Sequence, residues 1–133
     1  MSEFEPFYRL ALAIAIGLLV GVERHWRERE AAPGLRTAGI RTFALIGMLG
    51  GGVGLVEKAM PAGGPPGLVT GSVFLAFSGV FAFYKWREAE AEGDFSVTSV
   101  VAAMATFLFG VLAVLGDLRL AAAGGVALTA ILA

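Results

Sequence analysis

Five apolar stretches run along this chain, separated by short segments rich in polar residues, glycine or proline. They cover approximately residues 4–22, 39–56, 67–86, 97–115 and 118–133. The first four have the roughly 17 to 25 residues that a helix needs to cross the core of a bilayer. Their apolar residues are continuous rather than alternating with polar ones, which excludes the strands of a membrane barrel. The pattern therefore predicts an all-α integral membrane bundle of four transmembrane helices plus a short or truncated fifth.

The five stretches are interpreted as one transmembrane domain that covers residues 1–133. Residues 60–67, between the second and third stretches, consist mainly of Gly and Pro, which break helices and predict a short turn. The fifth stretch is still apolar where the sequence ends at Ala133, with no Lys or Arg anchor after it. We therefore expect this domain to be the amino-terminal part of a longer protein.

The composition is that of a membrane protein. Hydrophobic residues make up 57% of the chain and charged residues 16%, against about 25% charged residues in an ordinary soluble domain. There are no cysteines, which excludes disulfides and thiolate metal sites. The formal net charge of -1 creates no field that would recruit nucleic acid. The hydrophobic composition predicts the lipid bilayer as the surroundings of the chain.

The basic residues predict how the domain is oriented. Seven of the ten lie in the first and third connections between apolar stretches: Arg24, Arg27, Arg29, Arg36, Arg41, Lys85 and Arg87. Acidic residues share these connections but contribute little to topology. The positive-inside rule then predicts that the amino terminus is outside and that the loop 23–41 is cytoplasmic.

Glycine pairs at the spacing G-x-x-x-G recur within the stretches. Glycine lets two helix backbones approach closely, so these pairs predict tight helix packing. The pairs are Gly17 with Gly21, Gly47 with Gly51, Gly50 with Gly54, and Gly67 with Gly71. The faces could pair within one chain or between two, and because they exceed what one internal contact needs, we expect a homodimer.

Ionisable side chains are missing from the middle of every apolar stretch. Transporters and proton relays commonly need such a group at membrane depth. The hydroxyls of Thr98 and Ser99, with the carboxylate of Asp117, form a candidate polar path, although hydroxyls in helices more often bond back to their own backbone. His25 is the only histidine and has no second ligand nearby, so the sequence leaves a metal site undefined.

The first connection begins and ends with charged residues. Glu23 and Arg24 end the first stretch, and Arg41 with Thr42 opens the second, so folding of the loop would bring the two pairs together. Arg41 could then pair with Glu23, leaving Arg24 for a backbone carbonyl, a lipid phosphate or another subunit. A charged hairpin that only fixes topology remains an equal alternative.

These residues resemble the signature of the MgtC/SapB membrane proteins, in which G-x-E-R ends helix one and G-x-R-T opens helix two. Here the motifs are Gly21-Val22-Glu23-Arg24 and Gly39-Ile40-Arg41-Thr42, the second continuing as Phe43-Ala44-Leu45-Ile46-Gly47. The likeness extends weakly through Ser96-Val97-Thr98-Ser99, and it is closest to the branch in which this module precedes a second hydrophobic domain.

The resemblance implies a bacterial inner-membrane protein of about four or five helices. Such proteins are linked to growth in low magnesium, acid tolerance and survival inside host cells, and some are thought to restrain the ATP synthase. It also implies that Glu23, Arg24, Arg41 and Thr42 are the functional residues. The longer branch often has an acidic residue just after a Thr-Thr pair at helix four, whereas Val100 follows Thr98 and Ser99 here.

Three classes of function are considered: a transporter, a regulator or scaffold, and an enzyme. A transporter of magnesium or another small solute would use the charges of Glu23 and Asp117, with hydroxyls as a path. A regulator or scaffold would bind another membrane protein, such as the ATP synthase, through its glycine-rich faces. We do not expect an enzyme, because no nucleophile, base and orienting group converge. No cofactor is expected, and Mg²⁺ enters only as an ion that the protein transports or senses.

Overall fold

The computed structural model describes residues 3–27, 39–61, 63–92 and 97–133 of the chain. The described residues form five helices: α1 (Glu5–Arg27), α2 (Ile40–Ala59), α3 (Leu68–Glu92), α4 (Thr98–Leu115) and α5 (Leu118–Leu132). The first four are long and apolar enough to cross a membrane, and α5 is shorter. The predicted all-α membrane bundle is therefore confirmed. Several predicted loop residues, among them Arg29, Arg36 and Ser96, lie outside the described residues.

Two helices continue beyond their apolar stretches. The first extends to Arg27 rather than residue 22, and α3 extends to Glu92 rather than residue 86. Both extensions contain Glu and Arg, and that of α3 also contains Ala; these are strong helix formers, so the helix does not stop where the hydrophobic residues do. The charged ends of these helices consequently hold side chains in fixed positions on a helix surface.

The bundle has a tight centre and one peripheral helix. Helices α1, α2 and α4 contact one another, and α5 packs on α1 and α4. Within the described residues, α3 contacts only α2 and α4, through rings such as Phe77, which stacks on Phe107 with ring centroids 5.5 Å apart. Large apolar side chains on the outer surface, such as Leu75 and Ile131, are exposed where a bilayer would cover them.

Because each connection reverses the chain, the helix ends fall into two groups. At one end of the bundle α1, α3 and α5 finish and α2 and α4 begin; this is called the Arg24 end. At the other, called the Arg9 end, α1, α3 and α5 begin and α2 and α4 finish. The residues of the predicted signature all lie at the Arg24 end.

Candidate functional site

Arg24 is the centre of the polar contacts at the Arg24 end. Arg24 is only 7% exposed. The Nε atom donates to Oε2 of Glu23 at 2.7 Å, Nη1 donates to Oγ of Ser99 at 3.4 Å, and Nη2 donates to the backbone carbonyl of Leu132 at 3.3 Å. One guanidinium therefore joins α1, α4 and α5, using the rigid fork of donors that distinguishes Arg from Lys.

Glu23 has arginines on both carboxylate oxygens. Oε2 accepts from Arg24, and Oε1 accepts from Nε of Arg27 at 3.3 Å. The side chain of Glu23 is 9% exposed, whereas that of Arg27 is 53% exposed. We call Glu23, Arg24, Arg27 and Ser99 the Arg24 cluster.

The ion pair between Glu23 and Arg41, which the sequence left open, does not form in the structure. Within the described residues no ion pair joins them, because two arginines of α1 itself already occupy the carboxylate. Arg27 lies one helical turn after Glu23, a spacing that brings side chains together without any contribution from tertiary folding. Of the three partners considered for Arg24, the structure has a backbone carbonyl, which belongs to Leu132.

Arg41 and Thr42 occupy the first turn of α2, apart from the Arg24 cluster. Arg41 is exposed, and Thr42 is partly buried at the mouth of a cleft between α2 and α3. The four signature residues therefore share one end of the bundle but divide between a buried ion pair and an exposed turn. This division separates the residues that hold the fold from those available to a ligand or partner.

The candidate polar path is not assembled. Ser99 and Thr98 lie at the start of α4, whereas Asp117 follows the end of that helix, about 27 Å away along its axis. Between them the hydroxyl of Thr106 donates to the carbonyl of Ala102 in its own helix at 2.7 Å. This is the back-bonding that hydroxyls in helices favour.

Asp117 instead caps α5. Its carboxylate Oδ1 accepts from the backbone N–H of Arg119 at 2.7 Å, as an N-cap residue does. We expect Asp117→Ala to lower the free energy of unfolding by about 1 kcal/mol, while Asp117→Asn, which also caps well, changes it by a few tenths. Denaturant titration of both variants in micelles checks this. An equal loss in the two variants would assign the effect to the charge instead of the cap.

The glycines of the first two pairs lie where α1 crosses α2. A Cβ atom added to Gly17 would meet the carbonyl oxygen of Phe43, and one added to Gly47 would meet that of Ala13. Gly21 similarly faces Ile40, and Gly51 faces Ala13. These contacts pair two faces of a single chain. The pair Gly67 and Gly71, by contrast, faces open space.

The cleft between α2 and α3 contains polar residues that the sequence argument did not select. It has a volume of about 980 Å³. Glu88 lines it, is 6% exposed and pairs with Nζ of Lys85 at 3.1 Å. From the sequence alone, Glu88 belongs to an acidic connection that follows the third apolar stretch, so its burial was not expected. The i, i+3 spacing of Lys85 and Glu88 is the signal that could have found this pair.

Arg9 was likewise not selected. Its Nη1 donates to the carbonyls of Ala113 at 3.1 Å and of Gly116 at 2.7 Å, and its Nη2 pairs with Glu5 at 2.9 Å. It thereby satisfies carbonyls at the carboxyl end of α4, which have no partner within that helix. Sequence gave no signal for this contact, because it joins residues more than a hundred positions apart.

No set of three or more His, Asp or Glu side chains that could hold a metal ion occurs among the described residues. His25, considered above as a ligand, is exposed. The Arg24 cluster supplies arginine donors, and both oxygens of its carboxylate accept from arginine, so its chemistry is that of anion or carbonyl recognition.

Comparison with known proteins gives one match. The sequence model of the MgtC family matches residues 10–133. No curated protein and no solved structure matches the chain. The matched region begins within α1 and includes all of α2 to α5.

Proposed function

Since the chain belongs to the MgtC family, which makes it a membrane protein linked to magnesium homeostasis, we propose that it regulates another membrane protein instead of carrying magnesium itself. The regulatory surface in this proposal is the Arg24 end, with Arg41 as one of its exposed cations. Placement in the branch that carries a second hydrophobic domain stays a prediction, as do the homodimer and the inner membrane.

The observation that carries this proposal is that Glu23 has no free oxygen. Magnesium is bound through carboxylates and other oxygen ligands, and both oxygens of Glu23 accept from arginine. Among the described residues where α1 ends and α2 begins, three arginines, Arg24, Arg27 and Arg41, accompany this one carboxylate. A divalent cation would be repelled there, whereas an acidic surface on a partner would be attracted.

The packing at the centre of the bundle also favours a regulator over a transporter. The backbones of α1, α2 and α4 meet at glycines such as Gly47 and Gly110, which leaves little room between them. Among the described residues, the buried charged side chains are Arg24 and Glu88, and both lie near helix ends. A secondary transporter instead places ionisable or broken-helix sites near the bilayer midplane.

Arg41 is the residue through which the proposal is tested. We expect Arg41→Gln to reduce growth on limiting magnesium in cells that lack the chromosomal gene, without changing the amount of inserted protein or its thermal stability. Arg119→Gln is the matched control, because Arg119 is also exposed in the first turn of a helix but lies at the Arg9 end. Equal growth of the two variants would count against the Arg24 end as the regulatory surface.

A partner is sought in the same cells by a photocrosslinking residue placed at position 41 or 119. The family resemblance makes the ATP synthase one candidate, and the predicted cytoplasmic position of 23–41 would face its soluble sector. We expect a discrete crosslinked membrane protein from position 41 alone.

Transport is tested separately with purified protein in sealed liposomes that contain a magnesium-sensitive dye. The regulatory proposal expects no magnesium entry above that of empty vesicles, because both oxygens of Glu23 already accept from arginine. Protein-dependent entry that Glu23→Gln abolishes would replace the regulatory proposal with transport.

A further inference from the structure

The cleft between α2 and α3 has an apolar body. It is open at the surface and lies beside the helix with the fewest neighbours, since α3 contacts only α2 and α4 within the described residues. Apolar side chains line most of it, among them Leu45, Leu49, Val73, Phe77, Val80 and Phe81. These residues would be covered by hydrocarbon in a bilayer.

One end of the cleft is polar and cationic. Thr42, Tyr84, Arg87 and Glu88 line it at the Arg24 end. Glu88 is buried and has Lys85 as its partner, so its charge is compensated locally, while Arg87 is exposed. The exposed Arg41 directly precedes Thr42 in the first turn of α2. The cleft is thus apolar along its length with arginine at one rim.

The length of the cleft matches one leaflet. From Val73 to Tyr84 the lining of α3 rises about 16 Å at 1.5 Å per residue. Half of a bilayer hydrocarbon core is about 15 Å. Tyr84 then falls at the level of the headgroups, where tyrosine is enriched, with Arg87 just beyond it.

We propose that this cleft binds one anionic phospholipid, with an acyl chain between α2 and α3 and the phosphate at Arg87 and Arg41. Basic pockets between transmembrane helices bind anionic headgroups in this way, and arginine matches a phosphate with two parallel hydrogen bonds. A partner helix fits the lining less well, because close helix packing in membranes uses small residues and this cleft is lined by large ones.

The test is native mass spectrometry of the purified chain from nanodiscs of phosphatidylcholine mixed with phosphatidylglycerol. Ala76→Trp places a large ring in the cleft without changing charge, and Ala82→Trp is its matched control, exposed on α3 but outside the lining. Arg87→Gln removes the rim charge, with Arg119→Gln as its control at the Arg9 end. Circular dichroism verifies that all four variants fold.

We expect one phosphatidylglycerol adduct, retained in both controls, lost in Ala76→Trp and reduced about fivefold in Arg87→Gln. Equal retention in Ala76→Trp and Ala82→Trp would show a nonspecific lipid shell and overturn the proposal. Equal retention of phosphatidylcholine and phosphatidylglycerol would overturn the headgroup assignment. Loss of a dimer in Ala76→Trp, without a lipid adduct in the unmodified chain, would assign the cleft to a second copy instead.

Discussion

Gly47→Ala is expected to lower the free energy of unfolding by about 1–3 kcal/mol, the range for overfilling a closely packed interior. The added methyl group would meet the carbonyl oxygen of Ala13 in α1 and lie 3.1 Å from the backbone N of Gly17. Neither of these backbone atoms can move aside without shifting a whole helix. The measurement is unfolding of the purified protein in mixed micelles, followed by circular dichroism as denaturing detergent is added.

Gly79→Ala is the matched control for this experiment. Gly79 is also inside a helix, but an added Cβ would have nothing within 4 Å. Alanine is the better helix former by about 1 kcal/mol in soluble helices, so the control variant should be unchanged or slightly more stable. If both variants lost stability equally, contact between α1 and α2 would not be the reason for glycine at position 47.

Arg24→Met is expected to cost about 3–5 kcal/mol, as removal of one partner from a buried ion pair does. Methionine keeps much of the volume of the side chain but leaves Glu23, 9% exposed, with only the exposed Arg27. The carbonyl of Leu132 also loses its guanidinium donor. The same detergent titration measures the loss.

Arg27→Met provides the comparison, because it removes a guanidinium from the other oxygen of the same carboxylate. Arg27 is 53% exposed, so its pair with Glu23 is worth at most about 1 kcal/mol. The double variant Glu23→Gln with Arg24→Met should recover part of the stability, since it no longer leaves a buried charge. A loss in Arg24→Met no greater than that in Arg27→Met would contradict the buried pair.

The helices themselves were predictable from the sequence, and their mutual arrangement was not. The length of the apolar stretches alone locates α1 to α4. In lipid the backbone N–H and C=O groups have no water to bond, so a continuous apolar stretch forms a helix, which bonds them internally. The same criterion missed the charged end of α3, where Ala89 and Glu90 continue the helix by propensity.

At the Arg24 end the sequence located charged residues that contact one another but did not determine which residues pair. Motif position selects Glu23 and Arg24, yet the partner of Arg24 at Leu132 depends on where α5 packs. Nothing in the local sequence encodes that position. The Gly17 and Gly21 pair was likewise visible as a pattern, whereas the face it meets on α2 required the folded chain.

Two arginines at opposite ends of α1 together fix its register in the bundle. Arg9 donates to the last carbonyls of α4, and Arg24 donates to the carbonyl of Leu132 near the end of α5. Each lies in the negative field at a helix carboxyl terminus, and they are separated by about 22 Å of helix. Sliding α1 by one turn would break both contacts at once, so α1, α4 and α5 should move as one rigid piece. Helix α2 is tied to α1 by the close contacts of Gly17 and Gly47, so conformational change in this bundle is then left to α3, which neither arginine holds.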